Sequence, residues 1–160
     1  MEANEKMNKK EKLIISALRQ DSRKSLTTMS RELRIPVSTL HEKLQSFKGD
    51  LIKRNTALID FTTLGFNTRA NVFIKVEREQ RQEVKNFLLK TNCVNTLLKV
   101  NNGYDFMIEF IFRHIKDMED FIEELEQKFK ILAKDTFYIV DDIKREEFLA
   151  NPRLVSMGVV

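Results

Sequence analysis

Residues 33–44 read LRIPVSTLHEKL, and their spacing sets small polar groups along one side of a helix. At about 100° per residue, Val37, Leu40, Leu44 and Phe47 gather on one face. Ser38, Thr39, Glu42, Gln45 and Ser46 gather on the other. A helix that only fills a core carries a coat of long Lys and Glu side chains on its wet side, whereas this one is short and polar. Hydroxyls donate to and accept from several base edges, and a carboxylate accepts from a cytosine amine, so the chemistry available is major-groove hydrogen bonding. Arg23, Lys24, Arg34, Lys43, Lys48, Lys53 and Arg54 surround this face. They are candidate phosphate contacts, which would supply most of the affinity and make it salt-dependent. The plain alternative is a three-helix scaffold with an ordinary solvated face.

A second place where chemistry gathers is NNGYDF at 101–106. Asn102 and Gly103 suit a turn between strands, and Tyr104 and Asp105 open the strand that follows. Asp105 can accept from a small ligand's amine or from backbone groups across a dimer interface, so Asn102, Gly103, Tyr104 and Asp105 form the candidate effector site. Catalysis is not expected. His41 and His114 have no nucleophile or acid at a catalytic spacing, and Cys93 reads as a small buried hydrophobe. Two histidines and one cysteine give no metal-ligand pattern, and four glycines form no phosphate loop. No cofactor is expected.

The elements that would position these groups follow from composition and period. The 160 residues are 42% hydrophobic and 32% charged, an ordinary globular balance. The longest apolar runs fall far short of the ~20 residues of a membrane span, no membrane partner is expected, and the first dozen residues do not read as a secretion signal. With a lone cysteine, the expected compartment is the reducing cytoplasm. Residues 1–60 hold 13 Lys+Arg against 8 Asp+Glu, whereas residues 61–160 hold 15 against 16. The basic excess therefore lies wholly in the first part, as expected where one part of a chain meets a polyanion such as double-stranded DNA.

Asn8 can cap a first helix with Leu13, Ile14, Ala17 and Leu18 inward, and the basic run at 6–12 reads as a solvated arm. A second helix spans about 27–34, capped by Thr27 or Thr28, with Met29 and Leu33 inward. Pro36 separates it from the third, which runs to Phe47 before Gly49. Residues 51–60 read as an extended hinge strand, and a linker with Gly65 follows. The period then alternates between two and 3.6: strand 71–77, helix 79–91, strand 95–100, strand 104–112, a helix with Met118, Phe121, Ile122, Leu125 and Phe129 on one face, and strand 135–143.

The expected fold is α+β: an N-terminal winged-type helix-turn-helix domain (1–50), a hinge strand and linker (51–66), a βαββαβ ferredoxin-like domain (67–147) and a C-terminal tail (148–160). On strand 104–112, Phe106, Ile108, Phe110 and Phe112 point one way and Met107 and Ile111 the other. Both helices cover one face, so the second sheet face stays partly apolar, and a homodimer through it is expected.

The order of parts resembles the Lrp/AsnC (leucine-responsive, feast/famine) regulators over about 8–148. KLIISALRQDSRKS resembles the family's first helix and basic turn, LRIPVSTLHEKL its recognition segment, LIKRNTALIDFTTLG its hinge and Leu-Gly, and YDFMIEF its Gly-x-Tyr/Phe-Asp strand. The resemblance implies sequence-specific binding of operator DNA by dimers or octamers that answer to a small effector, commonly an amino acid. In the family the effector site lies near the Gly-x-Tyr/Phe-Asp turn, between dimers, so the resemblance implies a site near 101–105 here. Three departures stand out: Asn102 occupies the family's glycine, Arg34 another glycine between the second and third helices, and Pro36 the place of a usual capping serine. Siroheme decarboxylases share this layout, so an enzyme on the same fold is an alternative. A small-molecule or protein-binding module without DNA binding is another.

Overall fold

A computed structural model describes residues 7–158; Lys6 of the basic run and Val159 and Val160 of the tail lie outside it. The chain packs as two units, one formed by residues through Ala57 together with those from Ile143 on, the other by Leu58–Asp142.

The helical unit opens with α1, Lys9–Gln20. The Asn8 side chain accepts from the Glu11 amide at 3.0 Å, and the Glu11 carboxylate accepts from the Asn8 amide at 2.9 Å. This reciprocal capping box satisfies two otherwise orphaned donors, and it makes residues 9–12 the first turn of a helix rather than a free arm. Helix α2, Leu26–Leu33, begins before Thr27 because Ser25 takes the cap, its hydroxyl accepting from the Thr28 amide at 3.1 Å. Arg34 then turns the chain with φ 55°, in left-handed space. Pro36 precedes α3, Val37–Phe47. Ile14, Ile15, Ala17, Met29, Ile35, Leu40 and Phe47 form the core. Val37 departs from the expected inward face. It stands 43% exposed as the first residue of α3.

Residues 53–60 carry no strand. A strand needs a ladder partner, and the described residues pair only Lys48 with Ile52 before the chain reaches a 3₁₀ turn at Thr62–Leu64. Gly65 closes that turn with φ 82°, and a Cβ there would lie 3.2 Å from the Arg113 guanidinium. Glycine answers both demands.

The sheet unit follows the order β1 (Thr68–Val76), α4 (Arg81–Leu89), β2 (Val94–Lys99), β3 (Phe106–Phe112), α5 (Ile115–Lys128) and β4 (Ile131–Tyr138). The strands lie in the order β2-β3-β1-β4, every pair antiparallel. This is the βαββαβ arrangement, with β4 starting and ending earlier than the expected 135–143. Ala70, Val72, Ile74 and Val76 alternate inward on β1, and Phe106, Ile108 and Phe110 on β3. They pack against Val84 and Leu88 of α4 and Met118, Ile122 and Leu125 of α5. A last short helix, α6 (Pro152–Ser156), belongs to the helical unit.

Candidate nucleic-acid interface

Helix α3 presents Ser38, Thr39, Glu42, Gln45 and Ser46, all exposed. Ser46 bonds back to the Lys43 carbonyl at 2.8 Å, whereas Leu40 and Phe47 are buried on the opposite side. No side chain caps the start of α3, so its first-turn amides and the positive end of its dipole remain open to an anion such as a phosphate.

The seven cations divide. Arg23, Arg34, Lys48 and Arg54 are exposed, and Lys53 is exposed with its ammonium on the Gly49 carbonyl at 2.9 Å. Lys24 pairs with Glu32 at 2.8 Å, and Lys43 with Glu11 at 2.7 Å. Hydrogen bonds from Lys43 and from the Asn8 amide hold the Glu11 carboxyl below its usual range.

At the turn between β2 and β3, Asn102 and Gly103 both have positive φ, 60° and 95°. Asparagine is the side chain that best tolerates the left-handed region after glycine, which is how Asn102 stands where a glycine is expected. Asp105 faces inward: its carboxylate accepts from the Val76 amide at 3.0 Å and pairs with the Arg81 guanidinium at 2.8 Å. The Tyr104 hydroxyl donates to the Asp135 carboxylate, which pushes the phenol pKa up. Asn102 and Gly103 are exposed.

The sheet face opposite α4 and α5 carries Phe73, Met107, Ile111, Phe137 and Leu98, with Phe137 57% exposed and Leu98 48%. At its centre the Glu109 carboxylate accepts from Arg69 at 2.7 Å, from the Asn95 amide at 2.5 Å and from the Thr96 hydroxyl at 2.7 Å. Arg69 reaches on to Asp142 at 2.6 Å. Burial works to raise the Glu109 pKa, but the Asn95, Thr96 and Arg69 donors outweigh it and the carboxyl stays below its ordinary 4.5.

No family model matches the chain. Among solved structures it is similar to LrpC of B. subtilis, at 19% identity and TM-score 0.78 over 87% of this chain and 98% of that one. It is likewise similar to AsnC of E. coli, at 14% identity and TM-score 0.76, covering 87% and 95%. The fold is that of the Lrp/AsnC regulators. A third structure on the Lrp/AsnC fold, a transcriptional regulator from Neisseria meningitidis in complex with L-Met, superposes with TM-score 0.79 at 12% identity, covering 87% and 93%. In sequence the chain is similar to the HTH-type transcriptional regulator PH1692 of Pyrococcus horikoshii, 23% identical over 140 residues, which are 87% of this chain and 94% of the relative. The HTH-type regulator FL11 of the same organism is 25% identical over 114 residues, 71% and 76% of the two chains.

Within this Lrp/AsnC fold, the five polar residues of α3 lie together on one exposed face, whereas the turn at 102–105 divides: Asn102 and Gly103 are exposed, Tyr104 packs beside Phe73 on the open sheet face, and Asp105 is buried. Sequence reasoning missed the Arg69–Glu109–Asp142 cluster. The signal was a lone carboxylate in FMIEFIF, a strand otherwise apolar on both faces. What could not be read was the register that sets Asn71 against Glu109 on one side and Thr96 against it on the other. Among the described residues no group of His, Cys, Asp and Glu is placed to hold a metal, and no helix is long and apolar enough to cross a membrane.

Proposed function

We propose that this chain is a cytoplasmic, sequence-specific DNA-binding transcriptional regulator. It works as a homodimer or larger assembly and answers to a small effector of the amino-acid kind. The observation that carries the reading is α3, whose small polar residues all lie on one exposed side, with an uncapped N-terminus and Arg34 and Lys48 exposed at its two ends. Ser38, Thr39, Glu42, Gln45 and Ser46 would meet base edges, while Arg23, Arg34, Lys48, Lys53 and Arg54 would meet phosphates. Lys24 and Lys43 would join them by exchanging a carboxylate for a phosphate. The names of the relatives support this reading, and so does the basic excess of residues 1–60.

Two recognition helices in a dimer would read half-sites about 10 bp apart or a multiple of that. An effector regulates such a protein only by binding two arrangements of it unequally. The exposed Asn102 and Gly103 are where it would be met, with Tyr104 beside them on the open sheet face, while Asp105 braces the turn from within. A structural neighbour that holds L-Met supports an amino acid as the class to screen first. We propose binding rather than catalysis as the activity.

The test is a titration of the full chain with its own upstream DNA and with a scrambled fragment at two salt concentrations. A preference for the upstream fragment that persists as salt rises is the expected result. Binding without preference, erased by salt, would reduce α3 to a general DNA-coating surface.

A further inference from the structure

Helix α1 buries Ile14, Ile15, Ser16 and Ala17 in unbroken succession. Four consecutive residues sweep about 300° of a helix, whereas a helix lying on one partner buries a stripe little more than 100° wide. One side of packing cannot account for this, so α1 must be covered from two. It packs against α2 and also against α6, which arrives from the far end of the sequence.

The returning segment is built for that place. Arg19 of α1 donates to the Glu146 backbone carbonyl at 2.6 Å and to its carboxylate at 2.9 Å. Leu149 packs into the helical core, and Ala150 and Val155 are buried. Asn151 caps α6 by accepting from the Arg153 amide at 3.0 Å, with Pro152 in the first turn. Glu146 and Leu149 hold φ of 55° and 62°, a backbone region that costs residues with a Cβ and persists only where the surroundings impose it. Here it persists at the residues that make the ion pair and fill the core.

The segment is also fixed where it leaves the sheet unit. Asp142, the last residue of that unit, is held by Arg69, whose guanidinium also holds Glu109 on the open sheet face. The chain thus passes twice between its two units, once at 57–58 and once at 142–143.

We propose that residues 142–157 form a strap that completes the core of the DNA-binding unit. It gives that unit a second covalent tether, anchored through Arg69 to the polar cluster of the open sheet face. Its role in DNA binding rests on the function proposed above; its role in holding α1 does not.

Hydrogen exchange on the full chain separates the two. Val155→Asp should speed exchange of the α1 amides at least tenfold, and Val155→Ala and Arg19→Gln several-fold, with β1 and β3 unchanged. Phe148→Ser, at an exposed position of the same segment, should leave all of them unchanged. Asp142→Asn should speed exchange at 146–155 and in α1. Unchanged α1 exchange in Val155→Ala and Arg19→Gln would overturn the strap, and these two variants decide the matter if Val155→Asp melts the whole chain. An Asp142→Asn effect confined to the sheet would overturn its anchoring to the open face. If the wild-type chain binds DNA, Val155→Ala should weaken that binding severalfold at unchanged assembly mass. If the wild type binds none, the functional reading falls while the exchange result still decides the strap.

Discussion

At the residue scale, Glu11 does two jobs that substitution can separate. One carboxylate oxygen completes the capping box of α1 and the other holds Lys43 of α3. Glutamine retains the cap, since a capping box accepts Glu or Gln, but lacks the charge that engages Lys43. Glu11→Gln should therefore tighten DNA binding at an unchanged salt slope, because Lys43 then gives up no carboxylate to reach a phosphate. Lys43→Ala should weaken binding to all DNA and lower its salt dependence by about one released counterion, read as the slope of log affinity against log salt, whereas Ser38→Ala or Glu42→Ala should change which sequence is preferred. Equal effects of all three on every sequence would remove α3 from the role of reader. Ser16 offers a stability test free of DNA. Its hydroxyl is buried and, among the described side chains, stands without a hydrogen-bond partner. Ser16→Ala should add about 1 kcal/mol by removing an unpaired polar group, seen as a higher denaturant midpoint at unchanged slope. The inward and outward sides of α3 were legible because helical period alone assigns them. The pairing of Lys43 with Glu11 was not, because it joins residues 32 positions apart on different helices.

At the scale of elements, the turn between α2 and α3 was marked in the sequence by Pro36, and its cost by Arg34 in place of an expected glycine. The structure places Arg34 at φ 55°, where a Cβ is strained by roughly 1–2 kcal/mol. Arg34→Gly should recover up to about 1 kcal/mol of thermal stability, part of the relief being offset by the entropy that glycine loses on folding. It should also cost DNA affinity by removing a cation; a fall in stability would show that the arginine side chain does more than stand in solvent. In the sheet, Glu109 has a folded pKa below its ordinary 4.5. A carboxyl depressed by folding contributes stability that is complete above its unfolded pKa and is lost as pH falls through the folded one. Stability from this group should therefore hold from neutrality to about pH 5 and decline below 4.5, a decline shared with Glu11 and Glu77. Glu109→Gln should flatten that acid limb in a pH series of chemical denaturation; an unchanged limb would place the loss in the other carboxylates. Strands β1 and β3 were readable from their alternation. Strand β4 was misplaced by four residues at its start because ILAKDTFY alternates too weakly to mark its own beginning, which the pairing of Ala133 with Lys75 and the bulge beside it determine.

At the scale of the whole molecule, the open sheet face and the irregular stretch before it share one property: both expose groups that would ordinarily be covered. Leu58 and Ile59 lie exposed in the stretch at 53–60, and Phe137 and Leu98 on the sheet. The homodimer proposed above would cover them with a second copy of the chain, since closed two-fold assemblies join a surface to itself. The apolar ring of Phe73, Met107, Ile111 and Phe137 would meet its own counterpart around the Glu109 cluster, whose hydrogen bonds are already made and so need not be broken on contact. Phe137→Asp places a charge in that ring without touching the core on the helix side. In sedimentation velocity, a dimer or larger assembly should fall to the monomer mass while the thermal transition of the sheet unit remains. DNA affinity should fall with it, because one recognition helix then meets one half-site and the linked second contact is lost. A variant that stays assembled would move the interface to the hinge residues, where Leu58→Asp becomes the decisive change. A variant that becomes monomeric yet binds DNA as tightly as before would show that the helical unit reads its site alone.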